Sequence, residues 1–110
     1  MTKYKLQYWI YAILNKQYGK EVEIVRDPLH RRYDVNRHGF HVGTNTLSIK
    51  NVQKWLEQKL IDSSFKAVEG EKGYYVKKIA NKKFYIFLGE QRYINSNKVN
   101  LQLSIHAYNN

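Results

Sequence analysis

The densest group of chemically versatile side chains lies between residues 26 and 41. Arginine is the prominent type, and its planar fork of donors matches phosphate oxygens and guanine edges. This segment contains four of the five arginines in the chain and a tyrosine able to stack on a base: Arg26, Arg31, Arg32, Arg37 and Tyr33. Because short strands and tight turns bring such side chains together, the segment predicts a phosphate-binding surface.

Three histidines in this segment offer a different chemistry. His30, His38 and His41, with Asp34 nearby, are of the types that bind zinc, manganese or nickel. A His-x-x-His pair across a glycine turn has no fixed geometry, however, and no second pair of ligands flanks it. We expect structural or solvated histidines, no metal and no cofactor, and keep a histidine-dependent hydrolase as the third hypothesis for function.

A predicted hairpin between residues 74 and 88 forms the second candidate surface. With Asn81-Lys82 as its two-residue turn, one side carries Tyr75, Lys77, Ile79, Phe84, Ile86 and Leu88, and the other carries Tyr74, Val76, Lys78, Tyr85 and Phe87. Four lysines mark its tip: Lys77, Lys78, Lys82 and Lys83. An exposed face that mixes rings and ammonium groups suits single-stranded nucleic acid, with Tyr74 and Tyr85 as stacking groups. The alternative, favoured for the rings, is packing against the helices in a two-layer core.

Hydrophobic periodicity predicts the elements that hold these residues. Apolar residues at helical spacing predict a helix over residues 4–18, capped by Gly19, and a second helix from the N-cap Ser48 to about residue 62. Alternating patterns predict strands over residues 21–26, 31–36, 40–44, 65–69, 74–79, 84–88 and 99–107, with a break at His38-Gly39. The last four of these strands are predicted to form an antiparallel meander. The prediction is a single α+β domain over residues 1–110, with two helices packed on a mainly antiparallel sheet in the order α-β-β-β-α-β-β-β-β.

Two of these elements carry informative patterns. In the first helix, Tyr8, Trp9 and Tyr11 widen the apolar stripe to most of the circumference. This helix is therefore either enclosed in the core or forms a homodimer through residues 4–18. The last strand alternates apolar and polar residues from Val99 to Ala107, so one of its faces belongs to the core and the other is solvated or functional.

Composition narrows the class of protein. The absence of cysteine excludes a disulfide framework, a thiolate zinc site and a cysteine nucleophile, and makes a reducing, cytoplasmic setting the default. The longest apolar run, Tyr8–Leu14, is too short to cross a bilayer. The formal net charge of +10, concentrated in the first helix and between Lys66 and Lys98, favours a polyanionic partner. Abundant Lys, Asn, Tyr and Ile also suit an AT-rich genome, such as that of a virus or mobile element, which is the other explanation of the lysines.

The predicted order of strands and helix over residues 21–61 resembles, by pattern only, the arm-type DNA-binding domains of phage integrases. In those domains a sheet enters the major groove and a helix supports it from behind. The resemblance implies that a basic sheet in this chain reads DNA. It covers about forty residues and includes no diagnostic residue.

Binding is a better hypothesis than catalysis. The sequence has no Walker-type phosphate loop, nucleophile elbow or His-Glu-x-x-His pair, and its 9 acidic residues do not cluster as a two-metal site requires. The leading hypothesis is a small, basic, intracellular nucleic-acid-binding protein that makes mainly phosphate contacts, with aromatic stacking. The alternative is a protein-interaction module or inhibitor whose basic, tyrosine-rich surface occupies an acidic or nucleic-acid-binding site on a partner protein.

Overall fold

The first helix begins one residue before its predicted start and ends at the predicted residue, Tyr18. In a computed structural model, which describes residues 1–26, 37–92 and 98–109, helix α1 covers Lys3–Tyr18. The side-chain oxygen of Thr2 accepts a hydrogen bond from the backbone N–H of Lys5 and caps the first turn. Gly19, at φ +57°, ends the helix and donates its N–H to the carbonyl of Asn15. One turn of 3-10 helix follows, Gly19–Glu21.

The second helix, α2, covers Ile49–Asp62 and confirms the predicted amphipathic pattern. The hydroxyl of Ser48 accepts a hydrogen bond from the N–H of Asn51 at 3.4 Å, so Ser48 is the N-cap. One stripe of this helix is buried: Ile49, Val52, Leu56 and Leu60. Periodicity of 3.6 residues therefore locates both the helix and its buried face.

Six strands form one fully antiparallel sheet in the described part of the chain. They are β1 (Glu23–Arg26), β2 (Arg37–Gly43), β3 (Lys66–Ala67), β4 (Tyr74–Ile79), β5 (Lys82–Arg92) and β6 (Val99–Asn109). Their spatial order is β1-β2-β6-β5-β4-β3. The long strand β6 therefore lies at the centre and pairs with β2 on one side and β5 on the other. The predicted α+β class and antiparallel sheet are confirmed.

Several predicted strand boundaries are wrong. No break occurs at His38-Gly39, because β2 runs without interruption along β6, whose backbone groups pair with those of residues 37–42. For the same reason β5 continues beyond the predicted end at residue 88 and pairs with β6 as far as Arg92. Strand β3 is shorter than predicted, with only two residues. The predicted strand over residues 31–36 lies outside the described residues.

The β4–β5 hairpin turns one residue earlier than predicted. Ile79 lies opposite Lys82, so Ala80 and Asn81 form the turn, with Ala80 at φ +54°. Moving the turn by one residue shifts the register by two, and a shift of two leaves every side chain on the same face. The predicted division of the hairpin into two faces is therefore confirmed, although the predicted partners are wrong.

Both described helices pack on one face of the sheet and form the core with it. Helix α1 contacts β2 and β6, whereas α2 contacts β3, β5 and β6. The core is closed by large side chains that are fully buried, among them Ile10, Leu14, Leu56, Phe40, Phe84, Ile86, Leu101, Leu103 and Ile105. In the described residues, neither helix is long and apolar enough to span a membrane.

The side of the sheet that faces away from the two helices is the outer face. Alternation along the paired strands defines its members. They are Glu23, Val25, Gly39, His41, Gly43, Lys66, Tyr74, Val76, Lys78, Lys83, Tyr85, Phe87, Gly89, Gln91, Asn100, Gln102, Ser104, His106 and Tyr108. The rings of Tyr74, Tyr85 and Phe87 are on this face, so the alternative in which they pack against the helices is wrong.

Candidate functional site

Basic and aromatic residues of the outer face are brought together in three rows that cross the strands. In the first row, Lys78 of β4, Lys83 of β5 and Tyr108 of β6 lie side by side. The second row contains Lys66, Val76, Tyr85 and His106, and the backbone of Arg37 in β2 lies opposite His106. The third row contains Tyr74, Phe87 and Ser104. Four consecutive strands, β3 to β6, thus build one surface.

The aromatic rings of these rows contact one another. Tyr85 and Tyr108 pack edge to face with ring centroids 5.8 Å apart, and the Tyr74 and Phe87 rings are 4.9 Å apart. The rings of His106 and Tyr108 are nearly parallel, with an angle of 9° and centroids 6.3 Å apart. Tyr108 is 48% exposed, so this cluster presents flat ring surfaces to the outside.

The Phe87 ring is held in place by two glycines. A Cβ atom at Gly89 would lie 2.6 Å from Cζ of Phe87, and one at Gly73 would lie 3.2 Å from Cε1. Gly73 also has φ +87° and accepts a hydrogen bond from the N–H of Leu88 at 2.8 Å. The ring therefore lies flat against bare backbone, and this position holds it next to Tyr74.

Two adjoining depressions open on this surface. The first, called the aromatic pocket, has a volume of about 360 Å³ and is lined by Glu71, Tyr74, Lys83, Tyr85, His106 and Tyr108. The second, called the lysine pocket, has a volume of about 370 Å³ and is lined by Ser64, Lys66, Val76, Lys77, Lys78, Lys83 and Tyr85. Lys83 and Tyr85 line both depressions, so the two pockets are adjacent.

The electrostatic character of the two pockets differs. The lysine pocket is lined by four lysines and no acidic residue, and one of the four, Lys77, is bonded through Nζ to the carbonyl oxygen of Ser63. Lys78 and Lys83 lie directly opposite each other, an arrangement of like charges that is unfavourable in the free protein. The aromatic pocket includes one carboxylate, that of Glu71. The pair therefore offers an anion-binding half and a ring-lined half with a hydrogen-bond acceptor.

Two of the four predicted tip lysines lie on the helix side of the sheet. Lys77 donates a hydrogen bond from Nζ to the carbonyl oxygen of Ser63 at 2.7 Å, and the same Nζ lies 5.8 Å from the centre of the Phe65 ring. Lys82 is exposed but shares its face with Ile79. Lys77 thus ties the end of α2 to the sheet. Of the four, only Lys78 and Lys83 belong to the outer face.

A neighbouring contact to α2 supports this assignment. Tyr75, on the same side of β4 as Lys77, makes a side-chain hydrogen bond with Glu57 of α2. Burial, and then the negative charge of Glu57, raise the pKa of the Tyr75 hydroxyl above its ordinary value. The helix side of β4 is therefore occupied by contacts within the fold.

The predicted arginine surface is described only in part. Arg26 lies in the edge strand β1, opposite Phe40, and is exposed. Arg31, Arg32 and Tyr33 lie outside the described residues, as does His30. The backbone of Arg37 belongs to β2. Arg26 is on the helix side of the sheet by register, so the structure does not bring it together with the lysines of the outer face.

The two described histidines of the His-x-x-His pair are on opposite faces of β2. His38 is buried on the helix side, where its ring centroid lies 4.3 Å from that of Tyr4, whereas His41 is on the outer face. Residues three apart in a strand point in opposite directions, so these imidazoles do not converge on one ion. Burial, followed by the charges of Lys3 and Arg26, lowers the pKa of His38. No cluster of three metal-ligating side chains occurs in the described ranges.

Four residues of the site were not predicted from the sequence. Tyr108 lies one position beyond the predicted end of the last strand. When the alternation of that strand is extended to residue 108, Tyr108 lies on the same face as His106. His106 itself was assigned only to the polar side of that strand. Lys66 and Glu71 reach the site because β3 pairs with the edge of β4, a pairing that the predicted meander contains, although neither side chain was singled out.

The central part of the outer face is polar and buried. Asn100, Gln102 and Ser104 of β6 are 9%, 9% and 6% exposed. The side-chain nitrogen of Gln102 donates to the carbonyl of Leu103 at 3.1 Å. The polar side of β6 is therefore largely enclosed at its centre, and becomes accessible at the end that carries His106 and Tyr108.

No protein-family model, curated protein or solved structure matches this chain.

Proposed function

We propose that this protein binds nucleic acid on the outer face of its sheet, with phosphates in the lysine pocket and bases against the aromatic rings. The observation that carries the proposal is the arrangement of Lys66, Lys78 and Lys83 beside Tyr85 and Tyr108 on one side of the sheet. Ammonium groups attract phosphates, and exposed rings stack on bases regardless of their identity. A sheet face with both properties is a known solution for binding single strands.

The lysine pair in the first row gives this proposal an energetic argument. Lys78 and Lys83 repel each other across the hairpin in the free protein. A phosphate between them removes the repulsion and releases counterions from the nucleic acid. The net charge of +10 adds a long-range attraction that raises the rate of encounter.

The experiment measures binding of labelled single-stranded DNA, duplex DNA and RNA over a salt series, with heparin as competitor. We expect binding that persists near physiological salt and prefers one form of nucleic acid. The double variant Lys78→Gln/Lys83→Gln should bind more weakly, with a salt slope reduced by about two units, or about one for each lost phosphate contact. The matched control is Lys50→Gln/Lys54→Gln, which removes the same charge from the exposed side of α2.

The two variants distinguish binding at the lysine pocket from attraction by the net charge of the protein alone. Equal weakening by both pairs of substitutions would show that only total charge matters. Weak binding to all three nucleic acids, abolished by modest salt or heparin, would contradict the proposal outright. We place the protein in the cytoplasm, as its cysteine-free sequence suggests, and in a virus or mobile element with an AT-rich genome.

The second candidate function is interaction with a partner protein, as a binding module or inhibitor. The exposed rings of Tyr4 and Tyr8 on α1, at 50% and 60% exposure, favour it. Tyrosine is enriched at the energetic centres of protein interfaces. Capture of a specific partner that persists after nuclease treatment would favour this candidate, and loss of all captured protein would favour nucleic acid as the bridge.

A further inference from the structure

The aromatic pocket contains a single carboxylate in an otherwise basic and aromatic setting. Glu71 belongs to the connection between β3 and β4, where its N–H donates to Val68 O and its carbonyl accepts from the N–H of Tyr74, both at 3.3 Å. These bonds place Glu71 at the rim of the pocket that Tyr74 also lines. The side chain is exposed and makes no ion pair with another residue of the described ranges.

Because of the Glu71 carboxylate, the two pockets suit different chemical groups of a ligand. Glu71 repels a phosphate, which is better held in the lysine pocket, where all charged lining groups are cations. The aromatic pocket therefore suits an uncharged planar group with hydrogen-bond donors. Its rings provide the stacking surface, and the carboxylate accepts the donors. Lys83 and Tyr85, shared by both pockets, lie where a base connects to its own phosphate.

Among the bases, guanine fits a carboxylate best. Its Watson–Crick edge carries two neighbouring donors, N1–H and the N2 amino group, which match the two oxygens of one carboxylate. Adenine and cytosine offer a single amino donor beside an acceptor, and that acceptor faces the second oxygen unfavourably. Thymine and uracil offer one N–H between two carbonyls. A bidentate pair of this kind has the geometry that gives discrimination between bases.

We propose that the aromatic pocket binds an unpaired guanine, stacked on the Tyr85, His106 and Tyr108 cluster and held at its Watson–Crick edge by Glu71. The inference rests on the proposed function and specifies its substrate as single-stranded nucleic acid containing guanine. Duplex DNA is excluded from the pocket because pairing occupies the same edge. The volume of about 360 Å³ lies within the range of roughly 300–1,000 Å³ that is usual for small-molecule sites.

The experiment uses the full chain and three oligonucleotides of about 10 residues, a length in the range of sites on single strands. One is oligothymidylate, the second has a central guanine, and the third has hypoxanthine in its place. Hypoxanthine lacks only the N2 amino group, so it tests the second hydrogen bond. Anisotropy should show about tenfold tighter binding of the guanine strand than of the hypoxanthine strand.

A matched pair of variants assigns the discrimination to Glu71. Glu71→Gln should reduce the ratio of guanine to hypoxanthine affinity to near one. Glu69→Gln makes the same change in net charge at an exposed residue that does not line the pocket, and it should keep the ratio. Both variants raise general affinity for nucleic acid equally, so the ratio and not the absolute affinity is the readout.

The outcomes separate this inference from the function on which it rests. Tight binding of all three strands with a ratio near one in the wild type would overturn the guanine site and leave the nucleic-acid function standing. A ratio retained in Glu71→Gln would also overturn it, because the discrimination then arises elsewhere. Absence of binding to every strand at physiological salt would overturn both proposals.

Discussion

Lys78 and Lys83 face each other directly across the β4–β5 hairpin, on the side of the sheet that carries the aromatic cluster. Like charges in this position destabilise a sheet, so this lysine pair lowers the stability of the free protein. We expect Lys83→Gln to raise the free energy of unfolding by about 0.3 kcal/mol while weakening nucleic-acid binding. Urea denaturation at low salt measures the first effect. Lys82→Gln, on the other face of the same strand, is the control, and an equal gain there would contradict the explanation.

Tyr108 should contribute to binding and not to folding, because its ring is 48% exposed. Replacing it with leucine keeps an apolar side chain but removes the flat surface beside His106. We expect Tyr108→Leu to lose about 1 kcal/mol or more of single-strand binding energy. Tyr8→Leu changes a tyrosine on α1 that is 60% exposed and should have no such effect. Equal losses in the two variants, measured by anisotropy, would remove Tyr108 from the interface.

Lys77 provides the opposite test, since its ammonium group is used within the fold. Lys77→Met keeps the apolar stem but removes the hydrogen bond to Ser63 at the end of α2. We expect the free energy of unfolding to fall by about 1 kcal/mol. The salt slope of nucleic-acid binding should change by less than half as much as it does in Lys83→Gln. A full unit of lost slope would show that Lys77 leaves Ser63 to contact phosphate.

Stability should fall in acid because of His38. Burial, with the charges of Lys3 and Arg26, holds its pKa in the folded state below the ordinary 6.5. The unfolded chain therefore takes up a proton first as the pH drops through 6.5, and the free energy of unfolding decreases until the lower, folded pKa is passed. Urea midpoints of the wild type and of His38→Gln, measured from about pH 8 to about pH 5, should diverge in that window. Parallel curves would contradict the assignment to His38.

The first helix allows a prediction about assembly. Its buried stripe faces the core, yet Tyr4 and Tyr8 remain exposed one turn apart on another side. We expect a homodimer through α1 at high protein concentration, and Tyr8→Glu should shift it to monomer by placing a charge in the contact. Light scattering gives the mass directly. A monomeric mass for the wild type at high concentration would rule out the dimer.

Sequence patterns predicted the helices and the consecutive pairing of the last four strands, but not the hairpin turn or the ends of several strands. The stripe of Val52, Leu56 and Leu60 predicts α2 because helical contacts are close in sequence. The two faces of the hairpin were also predictable, since alternation survives an error of one residue in the turn. The turn itself was missed because Ala80, a non-glycine residue at positive φ, occupies a position that sequence rules assign to glycine or asparagine.

The candidate site depends on contacts between strands. It depends on β6 pairing with β5, which brings Tyr108 beside Lys83, and on β3 pairing with β4, which brings Lys66 to the same surface. Both pairings belong to the antiparallel meander that the alternating pattern after residue 64 predicts. The outward position of Tyr74 and Tyr85 was predicted only as one of two alternatives, and Tyr108, beyond the predicted end of β6, required the fold.

The contact of Phe87 with Gly73 and Gly89 sets a rule for sequence variation. A side chain at position 89 and a phenylalanine at position 87 compete for the same space, because a Cβ there would approach Cζ to 2.6 Å. In homologous chains, a residue other than glycine at position 89 should therefore occur together with a smaller residue at position 87. The same exchange removes the support of Tyr74, so lineages that make it should also differ in the shape of the aromatic pocket.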